Sequence, residues 1–141
     1  MSKNLNLLLQ GPSSFSPSKI SSLNDDLNSA NEFPIKALSS FEFYSVDITQ
    51  DFTDHAKLSE LLNSKEPANL PDFFIGPRSG TISPWASKTN EIITNVGILG
   101  VLSIEKYLGY FFDNNISAAD MNLSYLFDRM TQQVFITAKD I

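Results

Sequence analysis

The spacing of hydrophobic residues predicts strands and helices in a regular order along the first half of the chain. Every second residue from Leu5 to Leu9 is leucine, which indicates a strand that ends at Gly11-Pro12. Ser16-Pro17 then favours a helix start, because serine caps a free amide and proline fits the first helical position. Apolar residues follow at steps of three and four, as on one face of a helix: Ile20, Leu23, Leu27 and Ala30. Residues 35–48 predict either one long strand or two strands separated by a break. Three leucines then predict a short helix: Leu58, Leu61 and Leu62.

The second half of the chain repeats this order after a linker that contains Lys65, Pro67 and Pro71. A short strand from Phe73 ends at Gly76-Pro77, and Ser83-Pro84 opens a helix whose predicted apolar side holds Trp85, Ile92, Ile93 and Val96. Residues 101–112 predict a long apolar strand. Ser117 to Asp120 resembles a capping box, and apolar residues follow it at helical spacing: Ala119, Leu123, Leu126, Phe127 and Met130. Residues 133–137 favour a last strand.

The repeated order predicts an internal duplication with a period of roughly 65 residues. The two pseudo-repeats cover about residues 1–65 and 72–141 of a single domain. We therefore predict an α+β fold, an internally duplicated ferredoxin-like antiparallel sheet with helices packed on one face. The alternative is that the repeated order of elements is a coincidence, since any α+β chain shows some similarity between its halves.

Composition and charge exclude several classes of function. The 141 residues carry a formal net charge of −6, which argues against nucleic acid and anionic membranes as partners. The absence of cysteine excludes disulfides and cysteine-liganded zinc, and one histidine, His55, cannot build a two-histidine metal site. The longest apolar run, 96–104, is about half of a membrane span, and the N-terminus does not resemble a signal peptide. We predict a cytoplasmic protein.

The segment from Gly76 to Lys88 is the most informative stretch for function. It combines a flexible loop, the only tryptophan and a helix N-terminus whose free amides favour an anion. A capped helix with Trp85 in the core explains the same residues without a site. The segment is not a P-loop, because Gly80 precedes Thr81 rather than a lysine. Ser16 to Lys19 has the Ser-x-x-Lys spacing of acyl enzymes, but a helix cap explains its serine and no companion motif is present.

The run from Pro77 to Lys88, followed by Ile92 and Asn95-Val96-Gly97, resembles a signature near the N-terminus of the large, glutamine-dependent phosphoribosylformylglycinamidine synthase. That family has Pro-Arg-x-Gly-Thr-Ile-Ser-Pro-Trp-x-Ser-Lys, then Asp-Ile and Asn-x-Gly. Further segments resemble its other parts: Gly11–Phe15, Phe41–Ile48, Leu58–Leu62 and Asp128–Phe135. The chain departs from this pattern at three positions. Ser79 stands where the family commonly has proline, Glu91 where it has Asp, and Val96 where it frequently has Cys. The spacing after Gly11 is also shorter than in the family.

The resemblance implies that this chain is a fragment, the N-terminal domain of an ATP-dependent carbon–nitrogen ligase of purine biosynthesis. Family members carry their ATP and substrate sites in a central synthetase domain and a Cys-His-Glu glutaminase at the C-terminus. Their N-terminal domain resembles two fused copies of the small subunit (PurS) of the multi-subunit enzyme. The implied role is to dock the synthetase and glutaminase domains and to help enclose the ammonia path between them. No cofactor is implied in this domain, whereas ATP and magnesium are implied for the complete enzyme.

The resemblance places the domain interface or channel at the loop and helix start between residues 78 and 90. The candidate residues are Arg78, Thr81, Ser83, Trp85, Ser87, Lys88 and Asn90. The partners implied are the enzyme's own synthetase and glutaminase domains, and the isolated chain, predicted to be inactive, could form a homodimer. Two alternatives remain open. One is a stand-alone ferredoxin-like regulatory module that binds a small ligand between its halves. The other is an independent enzyme that uses Ser83 or Ser16, although the sequence places no base beside either hydroxyl.

Overall fold

The computed structural model describes residues 5–13, 21, 37–78, 80–112 and 130–135. They form five strands and two helices. The strands are β1 (Leu5–Ser13), β2 (Ala37–Ile48), β3 (Phe73–Pro77), β4 (Val101–Phe112) and β5 (Gln132–Phe135). The helices are α1 (His55–Leu62) and α2 (Pro84–Asn95). The predicted helices that begin at Ser16-Pro17 and at Ser117 lie outside the described residues.

All strands pair antiparallel in one sheet, in the order β1-β2-β4-β3-β5. The longest pairing joins the two 12-residue strands β2 and β4 and runs from Ala37↔Phe112 to Ile48↔Val101. The structure confirms the predicted fold class, an α+β fold of ferredoxin-like type built on an antiparallel sheet. The internal duplication stays a prediction.

Both described helices contribute to one core cluster on one face of the sheet. Because side chains alternate along a strand, every second residue of β1, β2 and β4 points to this face. Its buried members are Leu9, Tyr44, Val46, Ile48, Phe52, Leu58, Leu62, Ile93, Ile98 and Ile104. At about 25 cal/mol per Å² of apolar surface removed from water, this burial is what holds the helices on the sheet.

The opposite face is aromatic at one end and polar at the other. Phe43, Phe74 and Phe135 are buried there, with Leu8, Phe41, Tyr107 and Phe111 half-buried against them. The polar end is a set of exposed hydrogen bonds, in which Asn6 donates to Ser45 and Asp47, and Ser103 donates to Asp47. The helices described above therefore share the face that does not carry this aromatic cluster.

The connection between α1 and β3 (residues 63–72) passes from one face of the sheet to the other around β1. Lys65 pairs with Gln10 of β1 through two backbone hydrogen bonds, of 2.8 and 2.9 Å. Pro71, at the far end of the connection, is buried beside Gly109. A Cβ atom at Gly109 would clash with Pro71 and with the ring of Phe43. The connection thus holds the outer edge of β1 and covers part of the aromatic face.

Two details differ from the predictions. The first strand continues through Gly11-Pro12 to Ser13, because an irregularity in register between Gln10 and Ser13 accommodates a proline that has no amide hydrogen to donate. The predicted apolar side of α2 was also wrong in part. The helix buries Ala86, Thr89 and Ile93, whereas Ile92 and Val96 are exposed.

Candidate functional site

Ser83 caps the helix whose start was predicted from Ser83-Pro84. Its backbone is extended (φ −72°, ψ 155°), and its hydroxyl oxygen accepts a hydrogen bond of 3.0 Å from the amide of Ala86. Pro84 follows at the first helical position, where the missing amide hydrogen costs nothing. Thr81 stabilises the loop before the cap, because its hydroxyl and its amide both donate to the carbonyl of Arg78.

Glu105 of β4 binds this cap from the sheet. Its carboxylate accepts hydrogen bonds from the Ser83 hydroxyl at 2.6 Å and from the Ser83 amide at 3.2 Å. It also accepts one from the amide of Lys106 at 3.0 Å. A negative charge is favourable at the N-terminal end of a helix, where the peptide dipoles leave partial positive charge. At the other end of α2, the ammonium group of Lys57 donates to the carbonyl of Val96 at 2.8 Å.

Trp85 is half-buried between two side chains of the sheet. Its ring stacks on Tyr44, with centroids 5.5 Å apart and planes at 7°, and the ammonium nitrogen of Lys106 lies 5.4 Å from its centroid. Glu42 joins the two neighbours, since it accepts a 2.7 Å hydrogen bond from the Tyr44 hydroxyl and lies 3.8 Å from Lys106. Burial above all, and then Glu42, raises the pKa of Tyr44 well above its usual range. Trp85 is therefore held by contacts within the domain.

A pocket opens beside this loop because β3 separates from β4. Phe74 and Ile75 pair with both β4 and β5, whereas Gly76 and Pro77 pair with β5 alone. The resulting wedge, here called the split pocket, has a volume of about 590 Å³. Its described walls are the end of β3 (75–78), the loop and helix start (81–85), β4 (105–108) and the turn before β5 (130–132).

The split pocket brings together four of the seven predicted site residues: Arg78, Thr81, Ser83 and Trp85. The other three, Ser87, Lys88 and Asn90, lie further along α2 and do not line it. At its mouth two apolar side chains are strongly exposed, Ile82 at 75% and Met130 at 85%. An exposed apolar pair beside a pocket is typical of a surface that contacts another protein or a ligand.

Sequence reasoning missed the wall that β4 provides, which includes Glu105, Lys106 and Tyr107. The signal was the charged pair Glu105-Lys106 inside an otherwise apolar strand, since charges are rarely placed in a core without a partner. Burial, with smaller contributions from Glu105 and Asp47, raises the pKa of Tyr107 to about 12. The Tyr107 ring also lies against Gly76, where a Cβ atom would clash with it.

The part of the chain that the structure describes contains no cluster of three or more metal-ligating side chains. None of its helices is long and apolar enough to cross a bilayer. Fold and site together define an α+β domain on a single antiparallel sheet, with a capped helix and a pocket where two strands separate.

Residues 41–141 match the family model described as formylglycinamide ribonucleotide amidotransferase N-terminal. This match covers well over half of the chain, and the chain therefore belongs to that family, the N-terminal part of an amidotransferase of purine biosynthesis. All of the predicted site residues and every described residue of the split pocket lie within the match.

Proposed function

We propose that this domain is a non-catalytic scaffold that docks the synthetase and glutaminase domains of the amidotransferase and helps enclose the ammonia path between them. The observation that carries the proposal is the family match, which includes the whole loop and helix start. The complete enzyme would convert formylglycinamide ribonucleotide, glutamine, ATP and water to formylglycinamidine ribonucleotide, glutamate, ADP and phosphate. ATP and magnesium would bind in the synthetase domain.

The physical need for such a domain follows from the chemistry of ammonia. Ammonia released by a glutaminase is protonated in water, and the ammonium ion has no lone pair with which to attack the activated amide. A path closed to bulk water preserves the nucleophile until it reaches the second site. A domain can therefore contribute to the reaction by covering the path, without supplying a reacting group of its own.

Exposed apolar groups support a docking role for the loop. Ile82 is 75% exposed at the loop tip, and a side chain of this size gains about 2 kcal/mol when a partner fully covers it. Two positively charged residues that are exposed lie near Ile82 in the sequence, Arg78 before it and Lys88 in α2. Trp85, held by Tyr44 and Lys106, positions the base of the loop, so Ile82 is the better placed contact for a partner.

The test is the coupling ratio of the complete enzyme, the glutamate formed per amidine formed. Ile82→Glu places a charge in the proposed interface, and we expect this ratio to rise severalfold because ammonia escapes. Leu99→Glu is the matched control, since Leu99 is 73% exposed in the turn beyond the opposite end of α2. An unchanged ratio in folded Ile82→Glu, or an equal rise in the control, would contradict the proposal.

The contact between Ser83 and Glu105 also bears on the alternative of an independent enzyme. A serine hydroxyl that donates to a carboxylate at 2.6 Å resembles part of an activated nucleophile. The same oxygen, however, accepts the Ala86 amide, and the carboxylate accepts two backbone amides, as expected of a helix cap. Glutamine or ester hydrolysis by the purified chain that disappears in Ser83→Ala would favour the enzyme instead.

A further inference from the structure

The split pocket has a size and a wall that suit a small molecule. Its volume of about 590 Å³ lies within the roughly 300–1,000 Å³ usual for such sites. Ile82, Leu108 and Met130 are among the apolar residues of its wall. An apolar wall binds the body of a ligand by burial, and a few polar groups orient it. The polar groups that are not already bonded within the chain therefore determine the chemistry of the ligand.

The charged side chains of the wall already have partners within the chain. Glu105 accepts three hydrogen bonds. The ammonium nitrogen of Lys106 lies 3.8 Å from the carboxylate of Glu42, and Arg78 also has a partner. The part of the chain that the structure describes adds no other charged side chain to the wall. An ionic ligand would lose its hydration without meeting an unpaired opposite charge, so the wall favours an uncharged ligand.

The backbone of Lys106 faces the split between β3 and β4. On the β3 side of β4, the carbonyl of Tyr110 accepts a hydrogen bond of 2.8 Å from the amide of Asp72. In an antiparallel sheet, every second residue of a strand directs its amide and carbonyl to the same neighbour, so Lys106 faces this side too. Its amide is bound by the Glu105 carboxylate at 3.0 Å. Its carbonyl therefore points into the split pocket, which Lys106 lines.

Pro77 explains why the carbonyl of Lys106 has no strand partner. β3 and β4 pair as far as Ile75↔Leu108, and the same register would place Pro77 opposite Lys106. Proline has no amide hydrogen to donate to that carbonyl, so the strands separate here. The carbonyl of Pro77 faces the split as well. The next amide, that of Arg78, donates to β5's side of the strand, and a trans peptide directs its carbonyl the opposite way.

We propose that the split pocket binds an uncharged apolar molecule whose N–H or O–H group donates to the carbonyls of Lys106 and Pro77. The apolar body would lie against Leu108 and Ile82. An added β-strand fits less well, because it would present a carbonyl to the Lys106 amide, which Glu105 already binds. The site is built from the second half of the sequence, so it differs from a site between the two halves. The proposal does not depend on the docking role, because ligand binding can be measured on the chain by itself.

The only tryptophan of the chain, Trp85, lines this pocket and gives a single indole N–H signal in a nitrogen–proton NMR spectrum. The probe is benzamide, an uncharged aromatic molecule with an NH₂ donor, and we expect it to shift the Trp85 signal saturably. Acetophenone has the same shape with a methyl group in place of the NH₂ group. It should bind roughly fivefold more weakly, the loss expected for one net hydrogen bond. Benzoate and benzamidinium, the charged analogues, should also bind more weakly than benzamide.

Pro77→Ala tests the geometry, because it restores an amide that can donate to the Lys106 carbonyl and close the split. We expect benzamide to bind this variant at least roughly fivefold more weakly. Pro67→Ala is the matched control, since Pro67 lies in the connection between α1 and β3 and does not line the pocket; it should bind like the unmodified chain. Circular dichroism verifies that each variant is folded.

Four results would overturn the proposal. The first is the absence of a saturable shift with benzamide, and the second is acetophenone binding as tightly as benzamide. The third is tighter binding of either charged analogue. The last is full benzamide binding by folded Pro77→Ala, or an equal loss in Pro67→Ala.

Discussion

Glu105 of β4 accepts hydrogen bonds from both the hydroxyl and the amide of Ser83, the residue that caps α2. A strand side chain thereby joins the start of a helix to the sheet on which the helix packs. The carboxylate also accepts a hydrogen bond from the amide of Lys106, which lies beyond the end of the pairing between β3 and β4. One side chain thus binds both the helix start and the part of β4 that β3 leaves unpaired.

The first prediction concerns the stability that Glu105 provides. Glu105→Ala should lower the free energy of unfolding by about 2 kcal/mol, because hydrogen bonds to a part-buried carboxylate and a favourable helix-end charge are lost together. The measurement is urea unfolding at neutral pH. Glu91→Ala is the matched control, since Glu91 is exposed near the other end of α2 and its loss should change the free energy by less than about 0.5 kcal/mol. Equal effects of the two changes would show that the cap contact is dispensable.

The second prediction concerns the stacked pair of Trp85 and Tyr44. Trp85→Ala should cost about 2 kcal/mol, less than a fully buried aromatic residue would, because the ring is only half-buried. A double-mutant cycle with Tyr44→Leu should yield a coupling energy of about 1 kcal/mol, as for other aromatic pairs. Additive effects of the two changes would mean that the rings do not interact favourably.

The third prediction concerns the close contact between Gly76 and Tyr107. A Cβ atom at Gly76 would meet the ring atoms of Tyr107 and force the ring or the strand to move. Gly76→Ala should therefore destabilise the fold by about 2 kcal/mol, a usual cost of overpacking. In a Tyr107→Ala background the same glycine change should cost much less, because the ring is gone. The idea fails if chemical denaturation gives the same penalty in both backgrounds.

The fourth prediction concerns stability at alkaline pH. Burial raises the pKa of Tyr107 and of Tyr110 to about 12, against an ordinary value of 10.0. The unfolded chain therefore releases these protons first, so stability is fully present below pH 10 and falls as the pH rises toward 12. Tyr107→Phe should make the decline between these pH values less steep. Urea midpoints at pH 9 and pH 11 test this, and an identical decline in Tyr107→Phe would refute it.

Much of the fold followed from local patterns in the sequence. Ser83-Pro84 predicted the start of α2, the three leucines between residues 58 and 62 predicted α1, and the apolar run of residues 101–112 predicted β4. Each of these signals depends on neighbours within a few positions of the same element, which the sequence displays directly.

The candidate site was predicted only in part, because the split pocket depends on contacts between distant elements. β3 pairs with β4 only as far as Ile75 but with β5 as far as Pro77, and no local pattern in the sequence specifies where each pairing ends. The role of Glu105 was missed for the same reason, since Ser83 is its partner only after β4 and α2 have packed. The face of α2 was misjudged because Ile92 and Val96 are hydrophobic yet exposed, while Thr89 is buried.

The pairing of β2 with β4 unites one strand from each half of the sequence along the full length of both. Without the other half, β2 or β4 would be left with an unpaired edge. A break in the connection between α1 and β3 would therefore not release two independent units. We expect the two halves to form a single sheet when they are produced as separate polypeptides and mixed. The pairing of β2 with β4 would join them.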